Sequence, residues 1–488
     1  MRQRFIQSFP TSEDIQSALD NKELGKPYVA LSREEPSIDW NSKEIDYTGM
    51  PLTFEIISGG TIGLKGISAE TNYEYQINDG EIVTGQAASN AYTNISLNAG
   101  DVIKIRGFLN TKNVGLSVNP DADLVFNIYG NVASLGSSSK VKIELAGKHV
   151  INAENLVMLD PNFVCYQLFY RCTDLIIAPK TVISKNCRDM FDGCISLTTA
   201  PTLPATKLES TCYYMMFYNC TSLTQAPELP ATELASSCYY NMFAGCKSLT
   251  KAPSVLPATS LTNGCYMYMF ADCTSLTKAP ELPATELTQD CYTQMFKYCT
   301  SLTKAPELPA TTLAVRCYSS MFLGCKSLET APELPATTLA DSCYWSMFSD
   351  CTKLTQAPEL PATTLAISCY SSMFQSCINL TQAPSVLPAT TLASSCYNWM
   401  FKNCSSLTTT PALPATTLVD KCYNEMFESC KSLNYIKCLA TDMSSDNCTG
   451  SWVSRVASTG TFVKHPDATW TTGISGIPAG WTIENAVI

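Results

Sequence analysis

Twenty-four cysteines stand in this chain of 488 residues, all of them beyond residue 164. All but Cys438 and Cys448 fall into pairs, and nine pairs sit in one repeated sentence, Cys-Tyr-x-x-Met-Phe-x-x-Cys, running from Cys212–Cys220 to Cys422–Cys430. Two looser pairs, Cys165/Cys172 and Cys187/Cys194, precede them. Thiols at a fixed spacing could bind zinc, act as nucleophiles or close disulfides. Seven residues between the two cysteines is not a zinc-ribbon spacing. A nucleophile needs a base, and the only histidines, His149 and His465, lie on either side of the array. Because the cysteines track the repeat and do not frame loops, we read them as reduced, buried thiols behaving as small hydrophobes. Bonds between adjacent turns are the open alternative, since stacked Cα atoms would lie within disulfide reach.

A second set with chemical potential is acidic. Glu281, Glu307, Glu333 and Glu359 occupy one column of four consecutive repeats. Neighbours about 5 Å apart would approach the carboxylate separation of retaining glycosidases. Acid and nucleophile need different surroundings, however, and a repeated column supplies equivalent ones. The column is therefore expected to be a solvated stripe, its repulsion eased by Lys278 and Lys304. No catalytic residue, no metal ligand and no cofactor is assigned.

The third set is aromatic. The tyrosine after the first cysteine never varies in the nine clean repeats, which marks it as structural. The positions just beyond it do vary, and Tyr214, Tyr240, Tyr268, Trp345 and Trp399 stand where other repeats carry Thr, Ser or Asn. Variation on a fixed frame is how a repeat array builds a recognition surface. Flat aromatics stack on sugars or anchor protein interfaces.

The elements that must hold these residues follow from the period. Successive first cysteines (Cys212, Cys238, Cys265, Cys291, Cys317, Cys343, Cys369, Cys396, Cys422) are 26 residues apart except for two steps of 27, each with a serine inserted at Ser254 or Ser385. A period in this range means a solenoid whose units bury their apolar faces only against neighbours. With the two looser pairs it should have about eleven turns. Ser-Leu-Thr-x-Ala-Pro, as at Ser222–Pro227, is expected to be a short strand stopped by its prolines. The block Ser236–Cys246 is expected to be a short helix on the opposite side, with a small polar residue as its cap.

Upstream the pattern changes to alternation. Thr53–Ile57, Tyr73–Ile77, Ile95–Leu97, Val102–Ile105 and Leu124–Tyr129 read as strands separated by glycine-containing turns. The expected organisation is an N-terminal anchor arm over 1–46, a small β-sandwich over 47–137, a linker and cap over 138–164, the solenoid over 165–435 and a C-terminal cap over 436–488. The arm carries Phe9, Ile15, Leu19, Tyr28 and Trp40, more apolar surface than so short a segment can bury by itself. Its first residues lack the apolar core of an export signal.

Composition narrows the classes further. A net charge of −11 argues against general binding to nucleic acid. No run of some 18 apolar residues is present, so membrane insertion is not expected.

The repeat Cys-x-Ser-Leu-Thr-x-Ala-Pro-x-Leu-Pro-Ala-Thr-x-Leu-x-x-x-Cys-Tyr-x-x-Met-Phe resembles the BspA-like leucine-rich repeats of anaerobic gut bacteria and their phages, over residues 165 to 435. The stretches Val456–Phe462 and Gly476–Trp481 look like that family's usual ending. Phe9–Asp20, Leu24–Ala30 and Ile38–Asn41 resemble the start of virion appendage proteins such as head fibres. These resemblances imply a mixed α/β and all-β fold: a leucine-rich-repeat solenoid preceded by the β-sandwich and the anchor arm. They imply a structural, non-enzymatic phage fibre, located in a virion assembled in the host cytoplasm. Residues 1–46 would dock on other virion proteins (capsid, decoration, or portal and tail proteins). The solenoid would meet a host surface glycan or protein, and a homo-oligomer is compatible with both. The alternative is an adhesin or interaction protein of the bacterial cell surface.

Overall fold

The structure, a computed structural model, describes residues 50–67, 71–107, 115–135, 142–158 and 165–487. The anchor residues Phe9, Ile15, Leu19, Tyr28 and Trp40 lie outside them. The chain divides into two compact units, Met1–Leu208 with Met215–Ala231, and Glu209–Tyr214 with Thr232–Ile488.

The first unit opens with eight strands: β1 (Leu52–Ser58), β2 (Gly60–Ile67), β3 (Thr71–Ile77), β4 (Val83–Ala87), β5 (Thr93–Leu97), β6 (Val102–Gly107), β7 (Gly115–Pro120) and β8 (Val125–Asn131). Three short strands follow, β9 (Lys142–Ile143), β10 (His149–Asn152) and β11 (Leu156–Val157). They form two sheets, one ordered β10-β8-β1-β6-β3-β4 with β11 also on β8, the other β5-β2-β7-β9. Alternation decides which side chains go inside. Phe54, Ile56, Ile103, Ile105, Phe126 and Ile128 of the first sheet and Ile62, Leu64, Leu116 and Val118 of the second are buried. Gly130 is required where β8 passes β1, since a Cβ there would meet the Pro51 carbonyl oxygen at 2.0 Å.

Strands β10 and β11 pair parallel with β8, and Asn152 bridges in parallel to Ile177, which bridges to Thr199. The hydrogen-bonded edge of the first sheet thus runs straight on into the first turns of the coil.

Within the coil the expected strands shrink to single parallel bridges. In the second unit Lys278 pairs with Lys304, Lys304 with Thr330, Gln356 with Gln382 and Thr409 with Tyr435. The prolines that follow, such as Pro280 and Pro306, have no N–H to donate, so pairing does not extend.

The expected helix is not formed, and the fold is all-β, a coil with essentially no helix. Its only helical segment among the described residues is a 3₁₀ turn, Val132–Leu135. In the Cys343 turn, Trp345, Met347, Ser349 and Cys351 donate three residues back, to the carbonyls of Ser342, Tyr344, Ser346 and Phe348. The residues between them, Tyr344, Ser346, Phe348 and Asp350, donate at 2.8–3.0 Å to Cys369, Ser371, Met373 and Gln375 of the next turn. A helix needs every N–H to reach four residues back within its own segment. Here every second N–H is used to bind the neighbouring turn. The backbone achieves this by stepping into the left-handed region every fourth residue, at Ser342 (φ +55), Ser346 (φ +52) and Asp350 (φ +59). Glycine takes the same places at Gly245, Gly264 and Gly324.

Side chains then stack in columns. In the second unit the phenylalanine rings from Phe243 to Phe427 repeat at 5.5–5.8 Å, and the tyrosine rings from Tyr213 to Tyr423 at 5.5–6.0 Å. In the first unit Phe169, Phe191 and Phe217 do the same. The turns amount to about fourteen, more than the eleven expected from cysteine pairs. The additional ones lack the pair. Gly147 donates to Tyr170 below the first pair, and Tyr423, Glu425, Phe427 and Ser429 donate to Cys448, Gly450, Trp452 and Ser454 above the last.

The second unit ends in a three-stranded parallel sheet of β12 (Tyr435–Cys438), β13 (Thr461–Lys464) and β14 (Thr482–Asn485). Fully buried Trp452 stacks on Tyr423 at 6.2 Å and lies 6.1 Å from Phe427, so one indole covers the ends of two columns.

Candidate functional site

The cysteines are interior. All 24 are free thiols and all are buried. In seven consecutive repeats the second cysteine has the same kind of partner: Cys273, Cys299, Cys325, Cys351, Cys377, Cys404 and Cys430 each donate an S–H to the carbonyl of the phenylalanine in the preceding turn, at 3.0–3.2 Å. Burial pushes the donor thiols of Cys273, Cys299, Cys351 and Cys404 well above the ordinary thiol value, so at neutral pH they stay protonated donors.

The acidic column is exposed. Glu359 accepts from the Ser385 N–H and hydroxyl, both at 3.1 Å. Among the described residues no group of three or more His, Cys, Asp or Glu is placed to hold a metal ion. His149 is paired with Asp174 and His465 lies 3.8 Å from Asp467. His149 is thus engaged with a carboxylate, whereas His465 Nδ1 accepts the Asp467 backbone N–H at 3.1 Å.

The five aromatic candidates do not form one site. Tyr214, Tyr240 and Trp345 belong to the column after the invariant tyrosine. Tyr268 and Trp399 are one residue further, in the left-handed column, with φ +57 and +58. Tyr214 and Tyr240 are stacked face to face at 4.8 Å and 2° between planes, and Tyr268 meets Tyr240 edge-on at 5.7 Å. The amide of Gln294 donates to the Tyr268 hydroxyl at 3.0 Å. The Tyr214–Tyr240 stack and the edge contact of Tyr268 with Tyr240 join the three rings into one cluster. Trp399 has the Lys402 ammonium 5.1 Å from its ring centre. Burial works against the Lys402 charge, but Glu425 and Glu428 outweigh it and raise its pKa. That side of the indole is therefore covered by a held cation.

Trp345 is different. It is 43% exposed, and its column neighbours, Ser319 and Ser371, are buried serines. Ser320, Ser346 and Ser372 of the adjoining column are buried serines too. Small side chains on both adjacent turns leave the indole projecting. Ile367, 53% exposed, is bonded to the residue that starts this turn: Ser342 donates to the Ile367 carbonyl at 2.9 Å, and Trp345 donates to the Ser342 carbonyl at 3.1 Å. Ile367 was missed in the sequence because it stands two residues before Cys369, outside the block that varies around the invariant tyrosine. Exposed Tyr298 was missed similarly, and its signal was the glycine of the next turn: a Cβ on Gly324 would meet its ring at 2.3 Å.

Six copies of a model described as the BspA type leucine-rich repeat region match residues 162–277, 241–381 and 342–448. The chain belongs to the BspA-type leucine-rich repeat family. The match covers the coil of this repeat protein, and residues 1–161 lie outside it. A crystal structure of a leucine-rich repeat protein from Bacteroides ovatus is 18% identical, covering 73% of this chain and 92% of that one with a TM-score of 0.37. No curated protein sequence matches. Nothing in these comparisons corresponds to a head-fibre segment at 1–46.

Proposed function

We propose that this BspA-type repeat protein is a non-enzymatic interaction protein acting at a cell surface, holding a surface glycan or protein on the variable positions of its coil. The family match supports an interaction role, and it favours the bacterial surface protein over the phage fibre. The observation that carries the binding reading is Trp345, an exposed indole standing among buried serines, whereas Tyr214 and Tyr240 stack on each other and Trp399, also exposed, has Lys402 against its ring. Aromatic side chains in such settings dominate interface energetics. The Tyr214, Tyr240 and Tyr268 cluster would contribute beside it, and Trp399 through its exposed ring surface and its pairing with Lys402.

The test is a screen of the purified chain on immobilised host and bacterial surface glycans and proteins, followed by titration of any hit with Trp345→Ala and Tyr240→Ala. Trp345→Ala should weaken binding on the order of tenfold or more, with Tyr240→Ala much closer to wild type. Unchanged binding by Trp345→Ala would remove the indole from the site.

A further inference from the structure

Where the chain turns the corner after each parallel bridge, the Glu329–Pro335 and Thr355–Pro361 segments enclose a groove of about 580 Å³. Its walls are apolar, built from Pro332, Leu334, Pro335, Pro358 and Pro361, and its rim carries the carboxylates of Glu329, Glu333 and Glu359.

The charge at this rim is not that of the turns before it. Lys278, Lys304 and Thr330 are in parallel register, so a lysine accompanies Glu281 and another Glu307, but a threonine accompanies Glu333. At Glu359 the equivalent residue is Gln356. Glu329 has the Lys353 ammonium at 3.9 Å. Glu359 is held in place by its two bonds from the Ser385 N–H and hydroxyl. The groove thus combines a proline-walled trough with a rim on which Glu329 is paired with Lys353, while Glu333 and Glu359 lack the lysine that accompanies Glu281 and Glu307.

We infer that this corner docks an extended basic peptide segment of a partner protein. Lysine and arginine suit both parts of the groove: the aliphatic stem lies along the prolines and Leu334 while the charged head reaches the rim. An acidic or neutral segment would meet the carboxylates without compensation. A bare inorganic cation would use the rim and leave the apolar wall unused. The site is on the proline corner and does not depend on the reading of Trp345, so the two can fail separately.

Fluorescence anisotropy tests it with the full chain in about 0.15 M salt, using a labelled peptide of alternating lysine and glycine and its glutamine–glycine counterpart. The lysine peptide should bind saturably and the glutamine peptide should not. Glu333→Gln with Glu359→Gln should weaken binding at least tenfold. Glu281→Gln with Glu307→Gln, in the lysine-accompanied turns, should leave it within twofold, and circular dichroism confirms that both variants are folded. Replacing lysine in the peptide by its short-stemmed analogue diaminopropionate should also weaken binding. The inference is overturned if the lysine peptide does not bind, if both double variants weaken it equally, or if the short-stemmed peptide or spermine competes as well as the lysine peptide.

Discussion

The thiol of Cys273 donates to the carbonyl oxygen of Phe243 at 3.1 Å, and the same oxygen accepts the N–H of Cys246 at 3.1 Å. One carbonyl therefore closes a turn within its own repeat and clasps the next repeat. An aliphatic side chain at the second cysteine would fill the space but leave that second acceptor site empty, which gives the repeated cysteine a physical reason independent of redox chemistry.

Replacing Cys273 separates the two roles. Cys273→Ala loses donor and volume and should cost about 2 kcal/mol, whereas Cys273→Ser keeps a donor and should cost less, about 1 kcal/mol. Urea melts of the two variants are the comparison. If serine proves worse than alanine, the bond to Phe243 is not what the column is for.

Thiol accessibility follows from burial. A thiol reagent at neutral pH should find almost none of the 24 cysteines in the folded chain and all of them in denaturant. Fewer free thiols in the denatured, unreduced protein would mean that adjacent turns are covalently joined.

Left-handed positions predict a clear order of substitutions. Gly324 has φ +73, and a Cβ there would also strike Tyr298. Gly324→Ala should therefore destabilise by about 2 kcal/mol or more. Ser368, at φ +52, should respond in the opposite sense, with Ser368→Gly gaining up to about 1 kcal/mol. Thermal melts of the pair decide it, and a stabilising Gly324→Ala would contradict the backbone assignment.

Asp192 supplies a pH signature. Burial, together with the charge of Asp189 and against the pull of Arg171, raises its carboxyl to about 6 from an ordinary 3.8. A raised carboxyl contributes stability that is whole below its unfolded value and is lost as pH rises through about 6. Asp192→Asn should accordingly be more stable than wild type above pH 6, by about 1 kcal/mol after allowing for its partial exposure, and no more stable near pH 4. A pH-independent gain would assign the effect to packing.

The sequence made the repeat, its family and the stacked interior legible because period and column identity report directly on which residues share a neighbour. It did not make the local backbone legible. Cys-Tyr-x-x-Met-Phe-x-x-Cys places apolar residues at helix-like intervals, but the residue before each first cysteine and every fourth residue after it adopts positive φ with Ser, Asp, Asn, Tyr or even Trp. Apart from Asn and Asp, those residue types carry little left-handed signal, and the inter-turn bonds that hold them there come from a segment 25 or 26 residues away. The aromatic candidates were identifiable as variable positions. Whether their faces were open was not, since that depends on the neighbour in the next turn: tyrosine beside Tyr214, serine beside Trp345.

Trp452 gives the array its stop. It lies against both Tyr423 and Phe427 and is anchored by its indole N–H to the Gly476 carbonyl at 2.9 Å, so it terminates two columns without reference to how many rings lie beneath them. Whole repeats could be duplicated or deleted ahead of Cys422 while the closing residues still met the same two rings. The length of this molecule is thus a quantity that unequal recombination between near-identical repeats can change in single steps, with the reach of the protein as the heritable trait.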